Sequence, residues 1–466
     1  MSLSKSSDPI IYRSSELNVF LIDIPGSISS AQGSNTCPAI DSVLSCAPLE
    51  TPYIIKNEPK TAKAITQMQG TAFDVEIHKI YKACIKNALQ DIKDHVEGAW
   101  CLPRRSSPST QPVSRATSAG PEITMGNTPD HDEDTASRNC LKPGAYQPRQ
   151  YRSDAVDDFL SSLCAFSNTQ HMGFPPTMET MVLHRGRNRA TSPMIAEEPW
   201  ESPLFNDKKI PIQLTLRDHA GSSGSPDPVF KFRIPPLSKL MLDDFNKPDS
   251  LRDSIRFLGQ QYDLARQFEL IIIDPPWPNR SAKRRQSYSV EPSVKGVKRK
   301  LLSMDLDTII APEGIVAIWI TNKAAVRHVV TGAGGLFERL NLDFKEEWIW
   351  IKTTTTGEPV FDLNSVMKKP YEVLLIGQAS PAPSSPVPVQ RGHEVTRRVI
   401  AGVPDLHSRK PCLKSIIEAL LPPGKSENYA ALELFARHLV AGWWSFGNEV
   451  LKFNWEGYWN PSISHD

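Results

Sequence analysis

Hydrophobic and polar positions divide the chain into two halves of different texture. From residue 229 onward, short apolar runs alternate with stretches whose apolar residues recur every three or four positions. FKFRIPPLSKLMLDDF reads as a strand, a proline turn and a second apolar stretch. A helix over about 249–266 leads into a strand at 268–273. Strands then follow at 316–321 (VAIWIT), 346–352 (EEWIWIK), 371–377 (YEVLLIG), 399–404 (VIAGVP) and 432–437 (LELFAR), with helices near 323–340 and 410–421. Strands apolar on both faces, separated by helices, predict an α/β domain over 229–460 with a largely parallel sheet. SPAPSSPVPVQRG (380–392) reads as a disordered surface insertion in it.

The first half is less regular. ELNVFLIDI, near residue 20, predicts one short strand. Ile77, Ile80, Cys84, Ala88 and Ile92 predict a helix over 75–96, stopped by Gly98. Together these make residues 1–100 a small α+β region, read as a scaffold or a partner-recognition adapter. Residues 101–152 hold too few large apolar side chains to offset the entropy of ordering, and predict a disordered linker. Residues 153–228 predict a poorly ordered middle segment, with a short helical segment over 155–182 and a polar, interrupted stretch at 185–228.

Composition narrows the picture only a little. The 466 residues carry 53 Lys+Arg against 52 Asp+Glu, so net charge names no partner. The 40 prolines cluster, which fits unpacked segments. Seven cysteines (Cys37, Cys46, Cys84, Cys101, Cys140, Cys164 and Cys412) form no CxxC, so neither a disulfide framework nor a metal site is expected. No apolar run approaches the roughly 18 residues of a membrane span. The start, MSLSKSSDPI, lacks a signal-type apolar core, so a nuclear or cytoplasmic location is expected.

The chemistry concentrates at 270–277, LIIIDPPW. In open α/β sheets ligands bind beyond the carboxyl ends of the strands, where Asp274 falls. Pro275 and Pro276 have fixed φ and no N–H, so the chain leaves the sheet stiffly with its carbonyls left as acceptors. Trp277 adds a flat aromatic face. One carboxylate, one or two aimed carbonyls and a stacking plate suit an exocyclic amine on a flat ring. Two acceptors that hold its hydrogens return the lone pair to nitrogen, which then attacks an in-line electrophile. Asp274, Pro275, Pro276 and Trp277 are therefore the candidate catalytic set; the plainer reading is a strand-ending turn with a core tryptophan.

DPPW after an apolar strand resembles the N6-adenine methyltransferases of nucleic acids, the MT-A70-like family. AIWITN (317–322), WIWIKTTTTGEPVF (348–361), KKPYEVLLIG (368–377), LHSRKP (406–411) and LELFARHLVAGWWSFGNEVLKF (432–453) extend the likeness, in order, to its methyltransferase-like protein 4 branch over about 229–459. The resemblance implies a Rossmann-like fold in permuted order, with S-adenosylmethionine as methyl donor. The permutation accounts for the lack of a glycine-rich loop before DPPW. Carried over by position, the cofactor contacts are Lys410, Glu433, Phe435, Arg437, Asn448 and Glu449, with Asp244 and Phe245 as a weaker alignment. The family's LHSHKP stands here as LHSRKP, with Arg409 the larger, permanently charged departure.

Between 280 and 300 lie Arg280, Lys283, Arg284, Arg285, Lys295, Lys298, Arg299 and Lys300, against Glu291 alone. Beside a base pocket these suggest a phosphate-binding rim, with Asn279 and Tyr288 as further contacts; a nuclear-import signal or a solvated loop is the plainer reading. Lys369 and Glu372 are candidate substrate contacts. The leading expectation is methylation of adenine N6 in RNA, such as small nuclear RNA, or in DNA, of a base flipped out or already single-stranded. A catalytically silent nucleic-acid-binding subunit, and an enzyme acting on protein amides or small amines, are the alternatives. A monomer is carried as the working state.

Overall fold

A computed structural model describes residues 8–34, 37–39, 41–55, 58–59, 61, 74–105, 156–157, 159–161, 163, 180–184, 202–217, 229–278, 293–381, 395–406, 409–420 and 429–459. In chain order the elements are β1 (Ile10–Arg13), β2 (Val19–Ile22), α1 (Ile24–Ser30), α2 (Val75–His95), β3 (Thr180–His184), β4 (Leu204–Phe205), β5 (Ile212–Arg217), β6 (Val229–Ile234) and β7 (Lys239–Met241). There follow α3 (Pro248–Gln261), β8 (Phe268–Ile273), α4 (Val294–Ser303), β9 (Ile310–Ile320), α5 (Ala324–Thr331), α6 (Leu336–Arg339) and β10 (Leu342–Lys352). The chain closes with β11 (Tyr371–Ala379), β12 (Thr396–Gly402), α7 (Lys414–Leu420), β13 (Ala431–Leu434) and β14 (Trp444–Phe446).

Eleven strands form one sheet in the order β1-β2-β12-β10-β11-β9-β8-β13-β14-β7-β4, and β3-β5-β6 form a second. β8 lies next to the middle strand, β9, of the larger sheet, and is parallel to both β9 and β13. Alternate residues of β8 enter opposite cores: Ile271 and Ile273 on one face, Leu270 and Ile272 on the other. Burial on both faces is why the strand reads as an unbroken apolar run. β11 departs from the parallel plan and runs antiparallel to both β10 and β9. The first residues of β11 therefore lie at the same sheet edge as the last residues of β8, β9 and β10. The domain is α/β with a mostly parallel sheet, as expected.

The N-terminal segment does not stand apart as a small unit. β2 pairs in parallel with β12, Val19 to Val399 and Leu21 to Ala401, so it extends the main sheet. Phe20, Leu21 and Ile22 are fully buried, which needs cover on both faces and excludes a lone amphipathic strand. Asp23 then ends the strand by capping α1, its carboxylate accepting from the Gly26 N–H at 2.7 Å. α2 starts where expected, capped by Asp74, and packs Tyr81, Ile85, Leu89 and Ile92 into the same core as β8.

Other expectations shift. The helix near 323–340 is two helices, α5 and α6, because the chain between them passes Gly334 at φ 65. The expected helix at 410–421 shortens to α7. In the middle segment, 156–163 contains helical residues whose Phe159 and Leu160 pack with Phe230 and Phe232, but Thr180–His184 is a strand rather than helix. β5, IQLTLR, pairs with β6 across a gap in sequence, so its period-two pattern was hidden among polar neighbours. Of the linker expected to be disordered at 101–152, residues 101–105 are instead ordered against the domain, the Leu102 N–H donating to Asp23 at 3.1 Å, while 106–152 and most of the 380–392 insertion lie outside the described residues.

Because β2 belongs to the main sheet, truncating its fully buried Phe20 is expected to destabilise the whole domain. Phe20→Ala should cost about 3–5 kcal/mol, read as a shift of one cooperative transition in denaturant. A main transition unmoved by the substitution would make the N-terminal segment an independent unit.

Candidate active site

The ladder between β8 and β13 sets the site. Ile273 pairs with Leu434, and the Asp274 N–H donates to the Leu434 carbonyl at 3.3 Å. The chain then turns: the Trp277 N–H donates to the Pro275 carbonyl at 2.8 Å, a three-residue turn that the two prolines favour. One lone pair of that carbonyl is thus taken, and its second remains as an acceptor. Pro276 is half-buried at the outside of the turn. Trp277 is 5% exposed, and its indole N–H donates to the Trp319 carbonyl at 2.7 Å. This tryptophan pins the corner to β9 and presents no open stacking face in this structure, because its ring is buried in the core.

On the other strand the chain leaves β13 through Phe435, whose φ of 62 is unusual for a residue with a side chain. Gly447, after β14, allows this approach: a Cβ there would stand 3.2 Å from the Phe435 Cα. The turn brings Arg437 back to the corner. Its Nη1 lies 3.9 Å from one oxygen of Asp274, and the Lys410 ammonium lies 3.6 Å from the other. A narrow cavity opens between Asp274, Trp319, Lys410, Glu433, Phe435 and Arg437.

Each charged group here is fixed by a neighbour. Lys410 donates to Glu372 and lies over the Trp319 ring, 4.7 Å from its centroid. Glu372 also pairs with Lys352 at 2.9 Å. Burial alone would raise the Glu372 carboxyl, but the two ammonium groups hold it well below the usual carboxylate range. Arg437 donates to Glu449 at 2.8 Å, and Lys452 holds the other oxygen of Glu449 at 3.0 Å. Burial nevertheless keeps the Glu449 carboxyl above its ordinary value. Glu433 differs, because it accepts no hydrogen bond from the described residues. Burial, then the Asp274 charge, push its carboxyl up to about 8, against the pull of Arg437.

The sequence-derived candidates therefore separate. Asp274, Lys410, Glu433, Phe435 and Arg437 meet around one cavity. Phe245 joins from the loop after β7, edge-on to Phe435 with centroids 4.9 Å apart. Asp244 beside it accepts from the Asn246 N–H at 2.9 Å, so its carboxylate is partly spent on its own turn. Asn448 and Glu449 follow β14, where Glu449 acts on Arg437. Lys369 is not at the rim. It is buried, donating to the Ser365 carbonyl at 2.8 Å and meeting His78 at 3.1 Å, and burial lowers its ammonium to about 8. Glu372 is committed to two lysines rather than open to a substrate. The packing of α2, whose His78 meets Lys369, turns that residue inward, and the approach of Lys410 and Lys352 commits Glu372.

Asn279, Arg280, Lys283, Arg284, Arg285 and Tyr288 lie outside the described residues. The rest of the basic segment is the amphipathic helix α4. Ser293 caps it and Val297 and Leu301 are buried, while Lys298 reaches the Gly334 carbonyl and Lys300 reaches Asn246. Trp319 and Lys352, which shape the charge around Lys410, were not singled out from sequence. Their strands were recognised, but the pairing that places them opposite Lys410 is long-range.

Residues 268–449 match the family MT-A70. A protein of Cryphonectria parasitica named N6-methyladenosine RNA methyltransferase MTA1 is 47% identical over 196 residues, covering 42% of this chain and 55% of that protein. The mouse protein named N(6)-adenine-specific methyltransferase METTL4 is 34% identical over 232 residues, 49% of this chain and 45% of its own length. A Caenorhabditis elegans protein named DNA N6-methyl methyltransferase is 30% identical over 237 residues, 50% of this chain and 57% of its own length. The chain thus spans about half the length of these curated relatives.

A carboxyl whose folded pKa is raised favours the fold while protonated. With Glu433 at about 8, its stabilising contribution is complete below the ordinary carboxylate range near 4.5 and is lost as pH rises through 8. Glu433→Gln should therefore flatten the fall in melting temperature between pH 5 and pH 8. Parallel profiles for the two proteins would remove Glu433 as the source.

Proposed function

We propose that the chain, through the MT-A70 domain at residues 268–449, methylates the exocyclic N6 of adenine in nucleic acid with S-adenosylmethionine as donor. The observation that carries this reading is the convergence of Lys410, Arg437 and Glu433 on the Asp274 corner. These residue types fit such a donor. Lys410 and Arg437 offer two cations to an amino-acid carboxylate, and Glu433 offers a carboxyl, free of hydrogen bonds from the described residues, to ribose hydroxyls. When bound, the donor supplies a methyl group on a sulfonium, an electrophile that needs no further activation.

The chain's own part is to make a poor nucleophile usable. An adenine amine conjugated with its ring has little lone-pair density on nitrogen. Asp274 and the second lone pair of the Pro275 carbonyl accept its two hydrogens and favour a tetrahedral nitrogen. The C–N bond then forms as the C–S bond breaks, and the N-methyl ammonium loses one proton to water or to Asp274. Pro275 and Pro276, with Trp277 pinned to Trp319, keep the acceptors in place without reorganisation. In the structure Asp274 stands between Lys410 and Arg437. A donor carboxylate drawing on those two cations leaves Asp274 available to the amine. The basic residues 280–285 supply phosphate contacts in this reading, and a nuclear location suits that substrate.

Asp274→Ala is expected to lower kcat by at least about 100-fold, because the lost acceptor matters most as charge develops, while nucleic-acid affinity changes less than about two-fold. Near-normal turnover would refute the mechanism. RNA and DNA oligonucleotides of one sequence, assayed side by side, separate the two substrate classes; activity on peptides but neither oligonucleotide would refute the nucleic-acid assignment. Reversing Lys283, Arg284 and Arg285 to Glu should weaken binding and reduce the slope of log affinity against log salt by roughly two to three.

A further inference from the structure

Arg409, the departure in LHSRKP, is 3% exposed and immediately precedes Lys410. One of its nitrogens, Nη1, donates both to Asp405 Oδ2 at 2.8 Å and to the Leu44 carbonyl at 2.6 Å. Its guanidinium lies over the rings of Phe453 and Tyr458, at 4.6 and 5.0 Å. The other oxygen of Asp405 accepts from the Ser45 hydroxyl at 2.7 Å and the Cys46 N–H at 3.2 Å. Burial would raise the Asp405 carboxyl, but the charge and hydrogen bond of Arg409 hold it below its usual range. Arg104 closes the frame, donating to the carbonyls of Val403 at 2.7 Å and Pro404 at 2.8 Å.

These contacts all fall on the segment between β12 and α7, whose purpose at the site is to carry Lys410. A lysine on a long, flexible stem is placed by its backbone and by what its ammonium meets. Glu372 and Trp319 hold the far end. The Arg409–Asp405 pair holds the near end, and residues 44–46, more than 350 positions away, tie that pair down. The pair is fully buried, with both side chains at 0% exposure. Removing one partner would leave the other buried and uncompensated, so the pair acts as a unit.

We propose that Arg409 and Asp405 are positioning residues for methyl-donor binding, which act by fixing Lys410, and that Leu44–Cys46 of the N-terminal segment is the strap that holds them. This rests on the reading of Lys410 as a donor-carboxylate contact. The chain's cofactor site is then not contained within residues 268–449: Ile28 lines the cavity, and the Leu44 carbonyl, the Ser45 hydroxyl and the Cys46 N–H complete its geometry from behind.

The test is a double-mutant cycle on the full chain, read by calorimetric titration of S-adenosylmethionine and by steady-state KM and kcat. Arg409→Gln is expected to weaken donor affinity about ten-fold and raise donor KM in parallel, with kcat and nucleic-acid affinity nearly unchanged. In a Lys410→Ala background the same substitution should add less than about two-fold, because residues acting through one another are not additive. A full ten-fold effect in both backgrounds would assign Arg409 a general structural role and overturn the proposal, as would normal donor affinity in a folded Arg409→Gln protein. Should Arg409→Gln fail to fold, Ser45→Ala removes one strap bond more gently. It is expected to weaken donor binding about three-fold, again only when Lys410 is present, and unchanged affinity there overturns the proposal. If the unaltered protein binds no donor, or Lys410→Ala leaves donor affinity intact, it is the parent reading that fails, and this inference with it.

Discussion

The Asp274 N–H closes the β8–β13 ladder on the Leu434 carbonyl, and beyond it neither Pro275 nor Pro276 has a donor with which to continue. Two neighbouring parallel strands thus stop at one level, one ending in a carboxylate and the other in a left-handed turn at Phe435. Everything else at the site is arranged around that shared stop. The turn at Phe435 returns Arg437 to Asp274, and the reversed direction of β11 places Glu372 at the same edge. Lys410 arrives from the end of β12 and spans the remaining gap.

The electrostatics follow from that geometry. Asp274, Glu372, Glu433 and Glu449 crowd one rim, and Lys352, Lys410, Arg437 and Lys452 interleave with them. Three of the four carboxylates have a close cation. Glu433 alone forms no ion pair among the described residues, so burial and the Asp274 charge outweigh the pull of Arg437 and push its carboxyl up to about 8. A site that alternates charges in this way keeps its cations extended and ordered while leaving one acid with spare hydrogen-bonding capacity. Such capacity suits a hydroxyl-bearing ligand better than a structural ion-pair network does.

Much of this was legible in the order of residues, and the part that was not has one cause. The strand before DPPW, the alternation of strands and helices after it and the helix over 75–96 all rest on local periodicity, and all appear close to where they read. Cofactor candidates in LELFAR could be found because they lie within a few residues of a strand end. What failed to show was pairing between distant segments. Nothing local marks IQLTLR as a partner of FKFRI, nor VFLI as the neighbour of RVIA. Lys369 and Glu372 looked alike as polar residues at a strand start, and only the packing of α2 and the approach of Lys410 sent one inward and committed the other. The basic run at 294–303 concealed a helix because its apolar pair, Val297 and Leu301, is sparse among lysines.

The seating of β2 against β12 also constrains how the chain is made. Arg398 donates to the Leu17 carbonyl across 381 residues of sequence. At a synthesis rate of about 5–20 residues per second, roughly 20–75 s separate the emergence of VFLI from the ribosome and that of the strand that covers it. During that interval a fully apolar strand waits with an unsatisfied edge. The strand that covers it, Thr396–Gly402, lies in about the last sixth of the polypeptide, so that edge stays open to other strands for most of synthesis.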